Sequence, residues 1–462
     1  MSTDTGSGER TGRVVIISAS AGAGHDGASR VLAQRLRGHG LAVDCLDLAD
    51  LFPLGIGRLL QGTYRRMLNR APWIYGLLFA MGGAFPGAGA STRALLRPVR
   101  SRTLGALPPD TRLVVSTYPV VSQVLGPLRT AGALPVPVAT YLTDFAVNPI
   151  WVSPGVDLHC AGHPVTRRQA CALGAAGVRV AGRLVDDGFR PGTPEDRGRA
   201  RIRLGLPAGE RLALLVAGSW GVGRVARAAS DIARTGRATP VVVCGHNERL
   251  RRRLRRRGIR YVLGWVDDMA DLMRAADVLV ENAGGLTALE AMAIGLPVAT
   301  YRSIPGHGRA NAAAMHRAGV ATWIRRRSAL GPALLALADG GAGRRQRAAG
   351  LALFRTDPVA VLAELAGVPP IRRDPDRPAG TPARTAEPAP CGRVVRAGQP
   401  VPPPPVPPAR MLPIGRHRRR TGAMAATVVA GLLAWRGYVR GTRPPVARAG
   451  RHPASRAVRP GR

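Results

Sequence analysis

Short apolar runs recur along most of the chain, bounded by glycine, proline, aspartate or asparagine and separated by longer stretches of helical spacing. The first series is RVVIIS, LAVDCLDL, RLVVSTY, PVATYLTD, DLHCAG and VRVAGR. A connector rich in proline and glycine, DDGFRPGTPED, interrupts it, and a second series follows: RLALLVAG, TPVVVCG, RYVLGW, DVLVEN and LPVATY. Runs unbroken by polar residues suit strands buried on both faces, and their alternation with helices predicts parallel sheets of the α/β class. Two such halves predict two Rossmann-like domains facing a cleft, over residues 13–188 and 189–367. The flanks differ. Residues 1–12 are polar, and residues 368–462 are rich in proline and arginine with too few large apolar side chains for a core, so both are expected to be disordered. Within the tail, 422–435 (GAMAATVVAGLLAW) is apolar and edged by arginine, but shorter than the roughly twenty residues of a spanning helix. It suits an anionic membrane surface.

Charge narrows the choice of partners. Lysine is absent, so the formal charge of +39 comes from arginine alone and favours phosphate-bearing substrates, acidic lipid or nucleic acid. The folded region carries no nucleic-acid reading motif and no interleaved aromatics, which argues against specific nucleic-acid binding. Five cysteines (Cys45, Cys160, Cys171, Cys244, Cys391) form no C-x-x-C pair, and the first ten residues lack an apolar signal core. A reducing cytoplasm and no metal site are expected. Between the first two strands and the third lies Leu51 to Arg100, where Trp73, Tyr75 and Phe79 alternate with arginines around Arg65 and Arg66. Aromatics at headgroup depth and cations against anionic lipid make this a membrane-docking, acceptor-guiding segment.

Two glycine-rich turns carry the chemistry. In VIISASAGAGHDGAS, a strand runs into Gly22, Gly24 and Gly27 at G-x-G-x-x-G spacing, and Asp44 and Asp47 follow near the distance of a ribose-binding acid. A dinucleotide-dependent oxidoreductase is one reading of that turn. In DVLVENAGGLTALEAMAIGLPVATY, a strand ends at Glu281 and a Gly-Gly turn opens a helix. Thr287 and Glu290 stand at capping-box spacing. In the functional reading, Gly284, Gly285 and Leu286 offer backbone N–H groups to a diphosphate while Glu290 accepts from ribose hydroxyls. IPGHGRANAAAMHRAGVA then brings His307, Arg309 and Asn311 to the adjacent loop and helix start. Together these residues describe a nucleotide-sugar donor site.

Four segments in order, SASAGAGHDGAS, YLTDFAVNPIWVSPGVDLHCAGHPVTRRQ, LLVAGSWGVG and ENAGGLTALEAMAIGLPV, resemble the processive and monogalactosyl diacylglycerol synthase group of GT-B glycosyltransferases (family 28-like) over most of residues 13 to 330. The resemblance implies inverting transfer of a hexose from a UDP-sugar co-substrate to a diacylglycerol-like lipid at the inner face of the cell membrane, with neither cofactor nor metal. A polyprenyl-linked or small-molecule acceptor is the alternative within that class. His25 matches the family's histidine as acceptor-activating base, Asp144 matches the aspartate of its T-D-F stretch, and Gly218, Ser219 and Gly221 match its donor-phosphate loop. Two departures stand out: His307-Gly308 replace a usual Gln-Glu, and Asn148 replaces a usual histidine. His163 matches no role.

Overall fold

In the computed structural model, residues 12–20, 23–70, 90–216 and 223–368 are described. The first sheet comprises Arg13–Ser18 (β1), Ala42–Asp47 (β2), Thr111–Ser116 (β3), Val138–Tyr141 (β4), Leu158–Ala161 (β5) and Val178–Val180 (β6). The second comprises Leu212–Val216 (β7), Thr239–Val243 (β8), Tyr261–Leu263 (β9), Val278–Glu281 (β10), Val298–Tyr301 (β11) and Thr322–Ile324 (β12). Every pairing is parallel. The apolar pattern anticipates each strand except β12, whose TWI lies among arginines.

The strands read as continuous apolar runs because helices cover both faces. Val14 and Ile16 enter one core while Val15 and Ile17 enter another on the opposite face. Leu212 and Leu214 alternate with Ala213 and Leu215 in the same way. Helix starts are fixed locally: Asp47, Thr193, Asn247, Asp268 and Asp357 each cap a helix through a side-chain oxygen, Thr193 in a full capping box with Asp196.

Strand order sets where a site can lie. The first sheet runs β2-β1-β3-β4-β5-β6, so the order in which strands are added reverses between β1 and β3. The second runs β12-β11-β10-β7-β8-β9, with its reversal between β7 and β10. Helices leave opposite faces of the sheet at such a switch point, opening a crevice at the carboxyl ends of the strands. The turns after β1 and β10 both emerge there.

The halves are not packed independently. Phe145, Val165 and Val185 join a core otherwise built by the second sheet. The helix Pro358–Leu365, which the sequence reading places with the second half, buries Val359, Leu362 and Ala363 beside Val14 and Leu32 of the first. Complete burial of a valine or leucine is worth about 1.5–3 kcal/mol, so this returning helix fastens the chain across the division.

Candidate active site

The helix Ala23–Gly38 follows β1 and carries His25 in its first turn. His25 Nδ1 lies 3.1 Å from the Thr117 carbonyl, just past β3, and 3.0 Å from Thr143 Oγ1, just past β4. A carbonyl oxygen only accepts, so Nδ1 holds the proton and Nε2 keeps a free lone pair. Tyr118 meets the ring edge-on at 5.0 Å. Burial holds the His25 pKa below its ordinary value, against the opposing pull of the Asp144 carboxylate. At neutral pH this imidazole is a base.

A buried cation shapes the turn that presents Asp144. Arg183 donates from Nη1 to the Leu142 and Thr143 carbonyls, at 2.6 and 2.8 Å, and from Nη2 to the Asp144 carbonyl, at 2.9 Å. Its guanidinium lies 4.6 Å from the Phe145 ring. A Cβ at residue 162 would stand 1.9 Å from Arg183 Nε, so Gly162 makes room for the clamp. The Asp144 carboxylate accepts from Trp151 Nε1 at 3.3 Å and from Asn311 Nδ2 at 3.0 Å. One donor comes from each half of the molecule.

On the second sheet, Glu281 ends β10 buried, accepting from the Ala283 N–H at 2.6 Å, from the Gly284 N–H and from the Thr300 hydroxyl. Gly284 has φ +71°, and a Cβ there would lie 2.7 Å from Asn311 Cβ. Glycine is required on both counts. The next helix, Leu286–Ile294, starts with Gly285 as its N-cap and no side-chain cap. The capping-box reading of Thr287 and Glu290 therefore fails: Thr287 is already inside the helix, two residues beyond the position from which a hydroxyl caps. The first-turn N–H groups stay available to an anion. Glu290 is half-buried on the same helix, and burial with the Asp186 charge pushes its pKa up to about 7.

Leu286 corrects the reading of the first glycine turn. Its side chain reaches the other half of the molecule, where a Cβ at Gly27 would meet Leu286 Cδ2 at 2.4 Å and one at Gly24 would lie 3.8 Å from Leu286 N. These glycines receive a leucine rather than a pyrophosphate. Asp47 accepts from the Ser20 and Ala49 N–H groups, at 3.0 and 2.7 Å, and Asp44 pairs with Arg13 at 2.8 Å. Both acids are held by the protein's own groups, which argues against the dinucleotide reading, and Gly22 lies outside the described residues.

His307 opens the helix His307–Arg317. Burial holds its pKa down, Asp144 pulls it up and His25 pushes it down, so the three groups form one electrostatic cluster. A Cβ at residue 308 would stand 2.4 Å from Ile304 Cγ1 and 2.9 Å from the Asn282 carbonyl, which is why glycine follows His307. Arg309 is exposed. Asn311 is only 1 % exposed and fully engaged, since beyond Asp144 it donates to the Ala283 carbonyl at 3.2 Å and accepts from the Ala146 N–H at 2.8 Å. Its expected place among the nucleotide ligands is replaced by an internal tie.

Motif reading missed Thr117, Thr143, Tyr118, Trp151 and Arg183. It also missed Trp265, 62 % exposed beyond β9, whose ring stacks on His246 beyond β8 at 4.6 Å and 9°. The visible signal was an aromatic residue and a histidine just after two apolar runs. His163 and Asn148 cap short helices, accepting from Val165 N–H at 3.1 Å and Ile150 N–H at 3.2 Å. Of the membrane-facing candidates, Arg66 is exposed on the helix Ile56–Arg70, as is Leu59 (65 %), and Leu54, just before that helix, is 94 % exposed. Gly218, Ser219, Gly221, Trp73, Tyr75, Phe79, the Arg65 side chain and the 422–435 segment lie outside the described residues. Among those described, no helix is long and apolar enough to cross a membrane.

Two doubly wound parallel sheets whose carboxyl-end turns meet at one cleft define the GT-B class of fold. Residues 25–181 match the monogalactosyldiacylglycerol (MGDG) synthase family model, and residues 214–329 match that of glycosyl transferases group 1. The processive diacylglycerol beta-glucosyltransferase of Bacillus subtilis is 27 % identical over 46 % of this chain and 57 % of its own length, so the chain spans little more than half of that relative. The Bacillus cereus protein of the same name is 26 % identical over 68 % of this chain and 82 % of its own. The crystal structure of Acinetobacter baumannii MurG aligns with 77 % of this chain and 99 % of its own, at 16 % identity and a TM-score of 0.47. By its two matched models and its curated relatives, the chain is related to the monogalactosyldiacylglycerol synthase and processive diacylglycerol glycosyltransferase group.

Proposed function

We propose that this protein is a glycosyltransferase that moves a hexose from a UDP-sugar to the hydroxyl of a diacylglycerol-like lipid, with inversion, at an anionic membrane surface. The observation that carries the reading is the pairing of a neutral His25, its Nε2 unprotonated, with an uncapped helix start at Gly285 reached from the same cleft. His25 Nε2 takes the proton of the lipid hydroxyl as its oxygen attacks the anomeric carbon. The bond from that carbon to the diphosphate oxygen breaks, and UDP leaves from the opposite face. Charge on the departing diphosphate is met by the first N–H groups of the helix Leu286–Ile294, with the exposed Arg309 as a further candidate, while Asp144 stabilises the imidazolium. Gly218, Ser219 and Gly221 belong to the same phosphate-facing set by their match to the family loop.

The remaining donor contacts follow from exposure and chemistry. Glu290 and Thr287 stand free for ribose hydroxyls, and the Trp265–His246 pair offers an aromatic surface for the base. The acceptor's class is supported by the relatives named as diacylglycerol glucosyltransferases. Leu54, Leu59 and Arg66 place apolar and cationic groups on one exposed segment, as an interfacial surface needs. The test is transfer of label from a panel of UDP-hexoses into the organic phase, with diacylglycerol in anionic liposomes and His25→Ala alongside. Transfer lost in the variant is expected. Transfer only to a polyprenyl phosphate or a small metabolite would reassign the acceptor.

A further inference from the structure

We infer that Asn311 is a positioning residue: it holds the Asp144 carboxylate against His25 and ties that carboxylate to the donor-side turn. The inference rests on the glycosyl-transfer reading of His25. Asn311 is set in the helix of the second half, yet two of its three hydrogen bonds cross to the first. Nδ2 donates to Asp144 Oδ1 at 3.0 Å, and Oδ1 accepts from the Ala146 N–H at 2.8 Å, so the amide grips the Asp144–Ala146 turn at both ends. The third bond, Nδ2 to the Ala283 carbonyl at 3.2 Å, ends beside Gly284 and Gly285. With the donor and acceptor of the amide all engaged and only 1 % of the residue exposed, its orientation is over-determined.

From the donor side the Asp144 carboxylate accepts from Asn311, and His307 bears on it electrostatically. Its other oxygen accepts from Trp151 at 3.3 Å, a longer bond from within the first half. Arg183 holds only the backbone of the turn. Loss of the Asn311 N–H thus removes a donor-side hydrogen bond from the carboxylate, while Arg183 keeps its hold on the backbone carbonyls of the turn. The consequence is read at His25, whose charged surroundings are Asp144 from the turn after β4, His307 from the opposing helix and Asp26 beside it in its own helix, with the Tyr118 hydroxyl and ring packed on one side. Asp144 is the charged group that favours the imidazolium, and the hydrogen bond to the Thr117 carbonyl adds to it.

The experiment titrates the ring resonances of 13C-labelled histidine in the full-length protein, with His25 assigned by its loss in His25→Gln. Asp144→Asn is expected to lower the His25 midpoint by about one pH unit, the usual scale for one nearby charge. Asn311→Ala is expected to lower it by at least half as much, and the double variant no further than Asp144→Asn alone. Asn311→Ser serves if the alanine variant does not fold, with thermal unfolding recorded for each. A His25 midpoint unmoved in folded Asn311 variants, with activity reduced equally at every pH, would overturn the inference. The two readings fail separately: hexose transfer with an unmoved midpoint sinks the role of Asn311, whereas a moved midpoint without transfer to any lipid sinks the glycosyltransferase reading.

Discussion

The turns after β1 and β10 look alike in sequence, each a strand running through glycines into a helix, and they do different work. After β1, Gly24 and Gly27 leave space for Leu286 from the other half of the molecule, and the helix they open carries His25, its Nδ1 3.1 Å from the Thr117 carbonyl. After β10, Gly284 takes a left-handed conformation against Asn311, while Gly285 faces open space at the head of an uncapped helix. The first set of glycines admits protein; the second leaves N–H groups for an anion. What a glycine motif means is decided by what stands opposite it.

Removing the proposed base should have the largest effect. His25→Ala is expected to lower the transfer rate by about 10²–10⁴-fold, the usual contribution of a positioned general base, with little change in UDP affinity. Rate and binding falling together would place His25 in the donor site. Next, Gly284→Ala must adopt φ +71° and push a Cβ to 2.7 Å from Asn311, so thermal or urea unfolding should show a loss of about 1–3 kcal/mol. A variant as stable as wild type would contradict the described turn.

Glu290 tests the second turn without disturbing it. Glu290→Gln is expected to weaken uridine binding by about 1.5–3 kcal/mol in calorimetry, the range for a hydrogen bond to a charged group. Because its pKa stands near 7, Glu290 is protonated below that pH and ionised above it, and the ionised form accepts better from ribose hydroxyls. Wild-type affinity for uridine should therefore rise between about pH 6 and 8, and the glutamine variant should lose the rise. A pH-independent wild type would remove Glu290 from the ribose. The smallest effect concerns the first turn: Gly27→Ala meets only the end of the Leu286 side chain, and should cost less than about 1 kcal/mol, relieved by Leu286→Ala. Additive losses in the double variant would mean the two residues do not touch.

Much of this was legible in sequence because strands buried on both faces announce themselves as unbroken apolar runs. The Gly-Gly turn and His307 were marked by their place just after such runs, which is where an α/β crevice opens, whereas His25 and Asp144 were marked by their match to the family's motifs. What sequence did not carry was which turn meets which. The seating of Leu286 on Gly27, the grip of Arg183 on the Asp144 turn and the return of Pro358–Leu365 to the first core all join residues far apart in the chain, and nothing local encodes them. Thr287 and Glu290 had capping-box spacing, but the Gly284 and Gly285 backbone starts the helix two residues earlier than that motif needs. Asn311 shared a motif with exposed Arg309, and only the fold reveals that its amide is internally satisfied.

The most direct test of the central claim is the pH dependence of hexose transfer from UDP-sugar into diacylglycerol liposomes, compared between the wild type and His25→Ala. Burial lowers the pKa of His25, so the base is free at neutral pH and is lost as pH falls through that depressed value. The account predicts wild-type transfer that is full at pH 7 and declines on acidification, and a variant at least a hundredfold slower with that decline abolished, in line with about 10²–10⁴ for a general base. Transfer by His25→Ala at the wild-type rate, with the same pH profile, would contradict it.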